Sequence, residues 1–194
     1  MNILTAHRAQ TDYPIFDVLA ERWSTRIFDE HHELADTALN TALEAARWAP
    51  SANNTQPWHV LVGKRGTSTH QTIFESLLGF NQEWAGDAAA LVVFLAKVQD
   101  DTGQELRWAL YDTGQAAAYF TIQAQAEDLA THQMGGFRKK HLMTAFGLTP
   151  SLVPVSVVAV GNHGDPETKS EDLQKRENQT RTRRGLSEIV LRYE

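Results

Sequence analysis

Polar and apolar positions along the chain follow a helical period in some stretches and form short apolar runs in others. From Leu34 to Trp48 the apolar residues Leu39, Leu43 and Ala46 recur at helical spacing, with Asp36 as the cap and Pro50 after the end. Trp58–Val62 (WHVLV) predicts a short strand, closed by the turn Gly63-Lys64-Arg65-Gly66. A helix is expected from about Ser68 to Leu78, and Ala89–Ala96 (AALVVFLA) predicts a central strand. The stretch Gln104–Leu129 lacks proline and is rich in Ala, Gln, Leu and aromatics. Wholly helical, it would run roughly 39 Å at about 1.5 Å per residue. An element so long and so apolar is either the spine of the core or a subunit interface. A loop, Thr131–Phe137, and a helix to about Phe146 follow; Val155–Val160 (VSVVAV) predicts a second central strand. The polar stretch Gly161–Gln179 is expected to be an exposed loop with room for one helical turn.

At 194 residues the chain suits one domain, 1–194, with residues 1–16 as a peripheral N-terminal arm. Its hydrophobic fraction of 42% and charged fraction of 22% are those of an ordinary globular protein. The absence of cysteine excludes disulfides, thiol nucleophiles, cysteine-ligated zinc and iron–sulfur clusters. No strand runs into a Gly-rich turn that opens a helix; the nearest candidate, Gly161-Asn162-His163-Gly164, has the wrong spacing for a dinucleotide fingerprint. Walker loops, G-x-S-x-G elbows and H-E-x-x-H helices are also missing, so no metal site is expected. The N-terminus has no apolar leader run, and Ala88–Ala96 is too short to span a bilayer, so a cytoplasmic location is expected.

The formal charge of −6 argues against general affinity for nucleic acid or acidic membranes. The basic residues are nonetheless clustered: Arg22 and Arg26 near the start, and Arg181, Arg183 and Arg184 near the end. In extended chain, Arg22, Ser24 and Arg26 of Arg22-Trp23-Ser24-Thr25-Arg26-Ile27-Phe28 share one face, and two guanidiniums with a hydroxyl can cradle a phosphate or an electron-rich ring edge. Alone, the segment reads first as a solvated basic edge. Ala49-Pro50-Ser51-Ala52-Asn53-Asn54-Thr55-Gln56-Pro57-Trp58 is a run of small amides and hydroxyls entering a strand, suited to the polar edge of a heterocycle or simply a capped turn. Met134-Gly135-Gly136-Phe137 lets backbone N–H groups approach a ligand closely, or makes a plain turn. The segment Arg181–Val190 is a phosphate clamp, a tail docked on the core or a solvated basic face.

Taken together and in this order, R-x-S-x-R-x-F, A-P-S-x-x-N-x-Q-P-W, a late G-G-F and R-x-R-x-x-L-x-E-I-V resemble the nitroreductase (flavin reductase-like) family over roughly Val18–Val190. The resemblance implies an α+β fold: a mostly antiparallel central sheet flanked by helices, with a long core helix at a dimer interface. It also implies a homodimer holding non-covalent FMN at that interface. By motif position Arg22, Ser24, Arg181 and Arg183 correspond to residues that hold the phosphate and ribityl chain, and Arg26 to the cation near the flavin N1/O2 edge. Ser51, Ala52 and Asn54 match the segment supplied by the other subunit, Asn81 an amide at the pyrimidine edge, and Gly135 and Gly136 backbone donors near N5. Trp23, Gln56, Gln133 and Met134 lie in or beside the matched segments and complete the cofactor-binding set.

The activity so implied is passage of hydride from NAD(P)H through flavin N5 to a nitroaromatic, quinone or activated alkene, in a ping-pong cycle with no catalytic side chain assigned. Neighbouring possibilities are a narrower enone, semialdehyde or dehalogenating reductase, and a flavin-binding carrier or regulatory dimer without turnover. Two positions depart from the family pattern: Trp84 stands where many relatives carry a second cation near N1/O2, and Gly135 where some carry an acid. A lid is expected within Gly66–Glu83 or Leu95–Trp108.

Overall fold

The computed structural model describes residues 7–194; residues 1–6 of the expected N-terminal arm lie outside the described residues. Seven α-helices are present among them: α1 (Asp17–Glu21), α2 (Asp36–Arg47), α3 (Ser68–Ser76), α4 (Ala109–Ala126), α5 (Lys139–Ala145), α6 (Glu171–Glu177) and α7 (Leu186–Ile189). Four strands, β1 (Trp58–Lys64), β2 (Ala90–Lys97), β3 (Ala130–Met134) and β4 (Leu152–Gly161), form one antiparallel sheet in the order β1-β2-β4-β3.

β2 sits inside the sheet, and every residue from Ala90 to Ala96 is buried. That explains its unbroken apolar run, because a strand covered on both faces has no polar side to alternate. Leu91, Val93 and Leu95 point into one cluster with Ile73 and Leu77 (the α3 region), Trp84, Leu142 of α5 and Leu173 of α6. Ala90, Val92 and Phe94 point the other way, against Leu39, Ala42 and Ala46 of α2 and Ala116, Ala117, Phe120 and Ala124 of α4. The result is an α+β sandwich of helix, sheet and helix around two apolar layers. β4 pairs with β2 through a register shift at Phe94/Leu95, where Leu95 faces Pro154. Proline lacks the N–H that regular pairing needs, and a bulge accommodates it.

Several boundaries differ from the sequence expectation. The long helix spans 18 residues, about 27 Å, and not the whole of Gln104–Leu129. Before it, the Asp100 carboxylate accepts the backbone N–H groups of Thr102 and Gln104 and the Thr102 hydroxyl, and Gly103 takes a φ of 85°. This side-chain turn closes a narrow hairpin in which Gln99 pairs with Glu105. Within the expected loop Thr131–Phe137, residues 131–134 belong to β3, a strand with one partner that ties to β4 from Ala130↔Gly161 to Met134↔Val157. The polar stretch after β4 folds into α6, capped by the Ser170 hydroxyl at the Leu173 N–H. Asp36 is the first residue of α2 and not its cap; Ala35 holds the cap position, and the Asp36 carboxylate meets Lys64 Nζ at 2.8 Å.

Of the described arm, residues 10–16 are exposed, whereas His7 is buried against Trp23. At the other end the side chains of residues 182–194, α7 included, are all exposed, so the tail is not docked on this chain's core. Among the described residues no helix is long and apolar enough to cross a membrane.

Candidate functional site

The segment Arg22–Phe28 leaves α1 in extended conformation, and its side chains alternate as the two-residue period requires. Trp23, Thr25 and Ile27 are buried, while Arg22, Ser24 and Arg26 turn outward. Beneath it, His132 of β3 faces the Thr25 carbonyl through Nδ1 at 2.7 Å, so that nitrogen donates the proton. Beyond it, Asp29 N–H donates to Asn162 O at 3.0 Å and Gly164 N–H to Ile27 O at 2.9 Å. The approach is close enough that a Cβ on Gly164 would lie 2.4 Å from the Phe28 carbonyl oxygen, so only glycine fits there.

Trp23 is held three ways. Its indole lies between the imidazoles of His7 (4.5 Å, 18°) and His163 (4.1 Å, 10°), and its Nε1–H donates to Glu177 Oε1 at 2.7 Å. The other oxygen of the same carboxylate accepts the Arg26 backbone N–H at 2.9 Å. Burial drives the His163 pKa down to about 4, outweighing the raising effect of Glu177 and assisted by the charge of His7. His163 is therefore neutral at neutral pH. Burial likewise lowers the pKa of His132.

Helix α6 ends at Glu177, and the chain runs on through Asn178–Thr180 to Arg181 and Arg183. Here the two ends of the polypeptide meet. A groove of about 300 Å³ is lined by Arg22, Ser24 and Arg26 on one side, by Arg176, Glu177, Arg181 and Arg183 on the other, and by Trp23 at its base. Burial, and then the positive charges of Arg181 and Arg183, hold the Arg22 pKa below its usual value. Arg181 is shifted the same way by burial and by Arg183. Among the described residues no side chain pairs with the guanidinium of Arg22 or Arg26. Unneutralised guanidiniums crowded together in partial burial are a receptor for an oxyanion.

Arg181 also has structural work: its Nη1 donates to the carbonyls of His7 (2.6 Å) and Ala20 (2.9 Å), tying the tail to the N-terminal segment. Arg183 donates only to its neighbour Thr182 O, at 2.8 Å.

The other expected residues fall in two further places. Asn81, in the 3-10 segment Gly79–Glu83, donates from Nδ2 to Gly136 O at 3.3 Å, and a Cβ on Gly136 would press on that amide at 3.1 Å. Asn81 and Gly135-Gly136 thus form one unit at the end of β3, one strand-turn from His132. Gln133 is exposed, but Met134 is buried in the core and can offer a ligand only its backbone. Ser51, Ala52, Asn54 and Gln56 do not line the arginine groove. Their loop is pinned by Asp112 of α4, whose Oδ2 accepts the Ala52 N–H at 3.0 Å, and by Ser51 Oγ, which accepts the Gln56 N–H at 3.1 Å. Asn53, Asn54 and Gln56 all have positive φ, a strained conformation for glutamine in particular.

Trp84 is not a wall of the groove. It is 1% exposed, at 6.1 Å from Phe28 and 4.5 Å from His132, so the residue replacing a second cation in the family pattern is part of the core. Glu177, His132, His7, His163 and Arg176 were not anticipated as site residues. The one sequence signal is an acid four positions before Arg181, hidden within a polar stretch that reads as a loop.

Comparison with known proteins agrees with this architecture. A family model described as the nitroreductase family matches residues 19–162. An uncharacterised 15.4 kDa protein of Mycolicibacterium smegmatis is 32% identical over 137 residues, which is 67% of this chain and 92% of that protein. The oxygen-insensitive NADPH nitroreductase of Helicobacter pylori strain J99 is 40% identical over 76 residues, 39% of this chain and 35% of that enzyme. A solved oxidoreductase containing FMN superposes with a TM-score of 0.86 at 28% identity, over 93% of this chain and 92% of that one. In sequence and in fold, the chain belongs to the nitroreductase family.

Proposed function

We propose that this chain is an FMN-dependent oxidoreductase that takes hydride from NAD(P)H and delivers it to an electron-poor small molecule, working as a homodimer. The observation that carries the reading is the meeting of Arg22, Arg181 and Arg183 in one groove. A phosphate monoester dianion fits that donor set, and it needs such a set in a protein of net charge −6. The relatives named as NADPH nitroreductase and as an oxidoreductase containing FMN support the same reading.

In this proposal Arg22, Ser24, Arg181 and Arg183 hold the phosphate and ribityl chain, and Arg26 faces the N1/O2 edge. A fixed cation at that edge stabilises the charge gained on reduction without moving during turnover. Asn81 meets the pyrimidine edge, with Gly135 and Gly136 presenting backbone near N5. FMN held there would supply the hydride-transfer chemistry between NAD(P)H and a nitroaromatic, quinone or activated alkene in a ping-pong cycle. The chain's own part is to bind, orient and exclude water.

Two features favour a second copy. The loop Ser51–Gln56 lies off the groove and is set rigidly, as a loop completing a partner's site should be. The outer face of α4, with Trp108 just before it, leaves Trp108, Tyr111, Tyr119 and Ile122 exposed, and the C-terminal tail leaves Ile189, Leu191 and Tyr193 exposed. This much bare apolar surface marks an association face.

The test begins with an absorption spectrum. The purified protein is expected to be yellow, to release FMN on denaturation and to oxidise NADH or NADPH when a quinone or nitroaromatic is added. Arg183→Ala is the cleanest probe, because that side chain holds nothing else in place; Arg181→Ala also loosens the terminus. Loss of one charge-assisted hydrogen bond at about 1.5–3 kcal/mol predicts FMN affinity down by roughly 10- to 150-fold in Arg183→Ala. A colourless protein that refuses added FMN, or unchanged affinity in the Arg181/Arg183 double variant, overturns the proposal.

A further inference from the structure

Glu177 lies under the groove, yet nothing about an anion site calls for a carboxylate there. It is 8% exposed, and both its oxygens are spent on N–H donors of a segment more than 150 positions away: Oε1 on the Trp23 indole and Oε2 on the Arg26 backbone. Its own helix, α6, leads within four residues to Arg181. The carboxylate is thus the polar link between the two halves of the arginine groove, 22–26 on one side and 176–183 on the other. A buried carboxylate is costly unless its lone pairs are met, and two N–H donors meet them here.

We infer that Glu177 is a positioning residue that sets the spacing of the arginines and thereby the preference for a phosphorylated flavin over an unphosphorylated one. The inference rests on the proposal that the groove holds the FMN phosphate. Two physical effects of the Glu177 charge oppose each other, and this makes the idea testable. As a negative charge among guanidiniums, Glu177 weakens anion binding; as a spacer it strengthens it. Glu177→Gln removes the charge, so electrostatics alone predicts tighter FMN. It also sets an amide –NH2 against one of two fixed N–H donors, so the link is half broken. If spacing dominates, FMN binding weakens.

The experiment compares dissociation constants of FMN and riboflavin, measured by flavin fluorescence on the full chain, for wild type, Glu177→Gln and Trp23→Phe. Trp23→Phe deletes the indole N–H together with the smaller ring of the indole, and keeps both the charge and an aromatic ring between His7 and His163. Wild type is expected to bind FMN at least about a hundredfold more tightly than riboflavin, as a site with several charge-assisted bonds to phosphate should. That ratio should fall about tenfold or more in Glu177→Gln and by a smaller factor in Trp23→Phe, with riboflavin affinity held within about twofold, as expected when one hydrogen bond to a charged group is lost. A ratio unchanged or raised in Glu177→Gln overturns the inference, and so does a parallel loss of both ligands in both variants. If Glu177→Gln gives no folded protein, an unchanged ratio in Trp23→Phe is sufficient to overturn it. A wild-type ratio near one removes the phosphate reading of the groove itself, an outcome distinct from intact wild-type preference with indifferent variants.

Discussion

The imidazole of His163 is pressed against Trp23 and carries a pKa lowered to about 4, chiefly by burial. An unfolded chain gives the same ring about 6.5. Above pH 6.5 neither state is protonated and the packing contribution is present in full. As pH falls from 6.5 towards 4 the unfolded state binds the proton first, so stability is lost across that window, by at most about 3 kcal/mol for this residue. His132 and His70 are shifted in the same direction, so the effect is shared. Urea unfolding of wild type and His163→Phe between pH 7.0 and 4.5 should show a shallower acid loss in the variant, whose phenyl ring can still stack on Trp23 but cannot protonate; identical slopes would contradict the assignment. At this scale the sequence was informative where a period governs orientation. The alternation that turns Arg22, Ser24 and Arg26 outward and buries Trp23, Thr25 and Ile27 follows from extended geometry alone. Glu177 was not legible, because nothing local distinguishes a carboxylate that reaches Trp23 from one that faces water.

Among the elements, α4 has two unlike faces. Ala109, Asp112, Thr113, Ala116, Ala117, Phe120, Thr121 and Ala124 pack inward, whereas Tyr111, Gly114, Ala118, Tyr119 and Ile122 form the outer face, exposed but for the half-buried Ala118. Both faces are apolar, so hydrophobic periodicity alone could not say which one meets the sheet. If the outer face pairs with a second copy, Tyr119→Asp combined with Ile122→Asp should halve the mass seen by sedimentation and leave the helical circular dichroism unchanged, since neither side chain supports this chain's own core. Wild type sedimenting as a monomer with flavin bound would defeat the shared-site arrangement. The missed elements have physical explanations. β3 has a single strand neighbour and only one β-branched residue, Thr131. α6 is a short helix of almost wholly polar residues, held by its Ser170 cap and by Leu173 in the core. The hairpin before α4 is written in Asp100 and Gly103, a turn signal masked by the helix-forming residues after it.

For the whole molecule, the α+β class and both central strands were readable, because strands buried on two faces leave continuous apolar runs. What no local pattern supplied was the distance between segments far apart in sequence. The charge distribution shows the same limit: a chain of net charge −6 concentrates five arginines in one groove fed from both of its ends. Arg181 anchors the tail through two bonds to the His7 and Ala20 carbonyls, and the residues after it, 182–194, are all exposed. On the proposed reading, an anion clasped between Arg22 and Arg183 would act as a removable rivet joining the segment around Arg22 to the C-terminal tail. Trypsin reads its presence directly, since Arg181, Arg183 and Arg184 are cleavage points. Stripped protein should shed the residues that follow Arg181 quickly, saturating FMN should slow the clip, and riboflavin, which lacks the phosphate, should slow it far less.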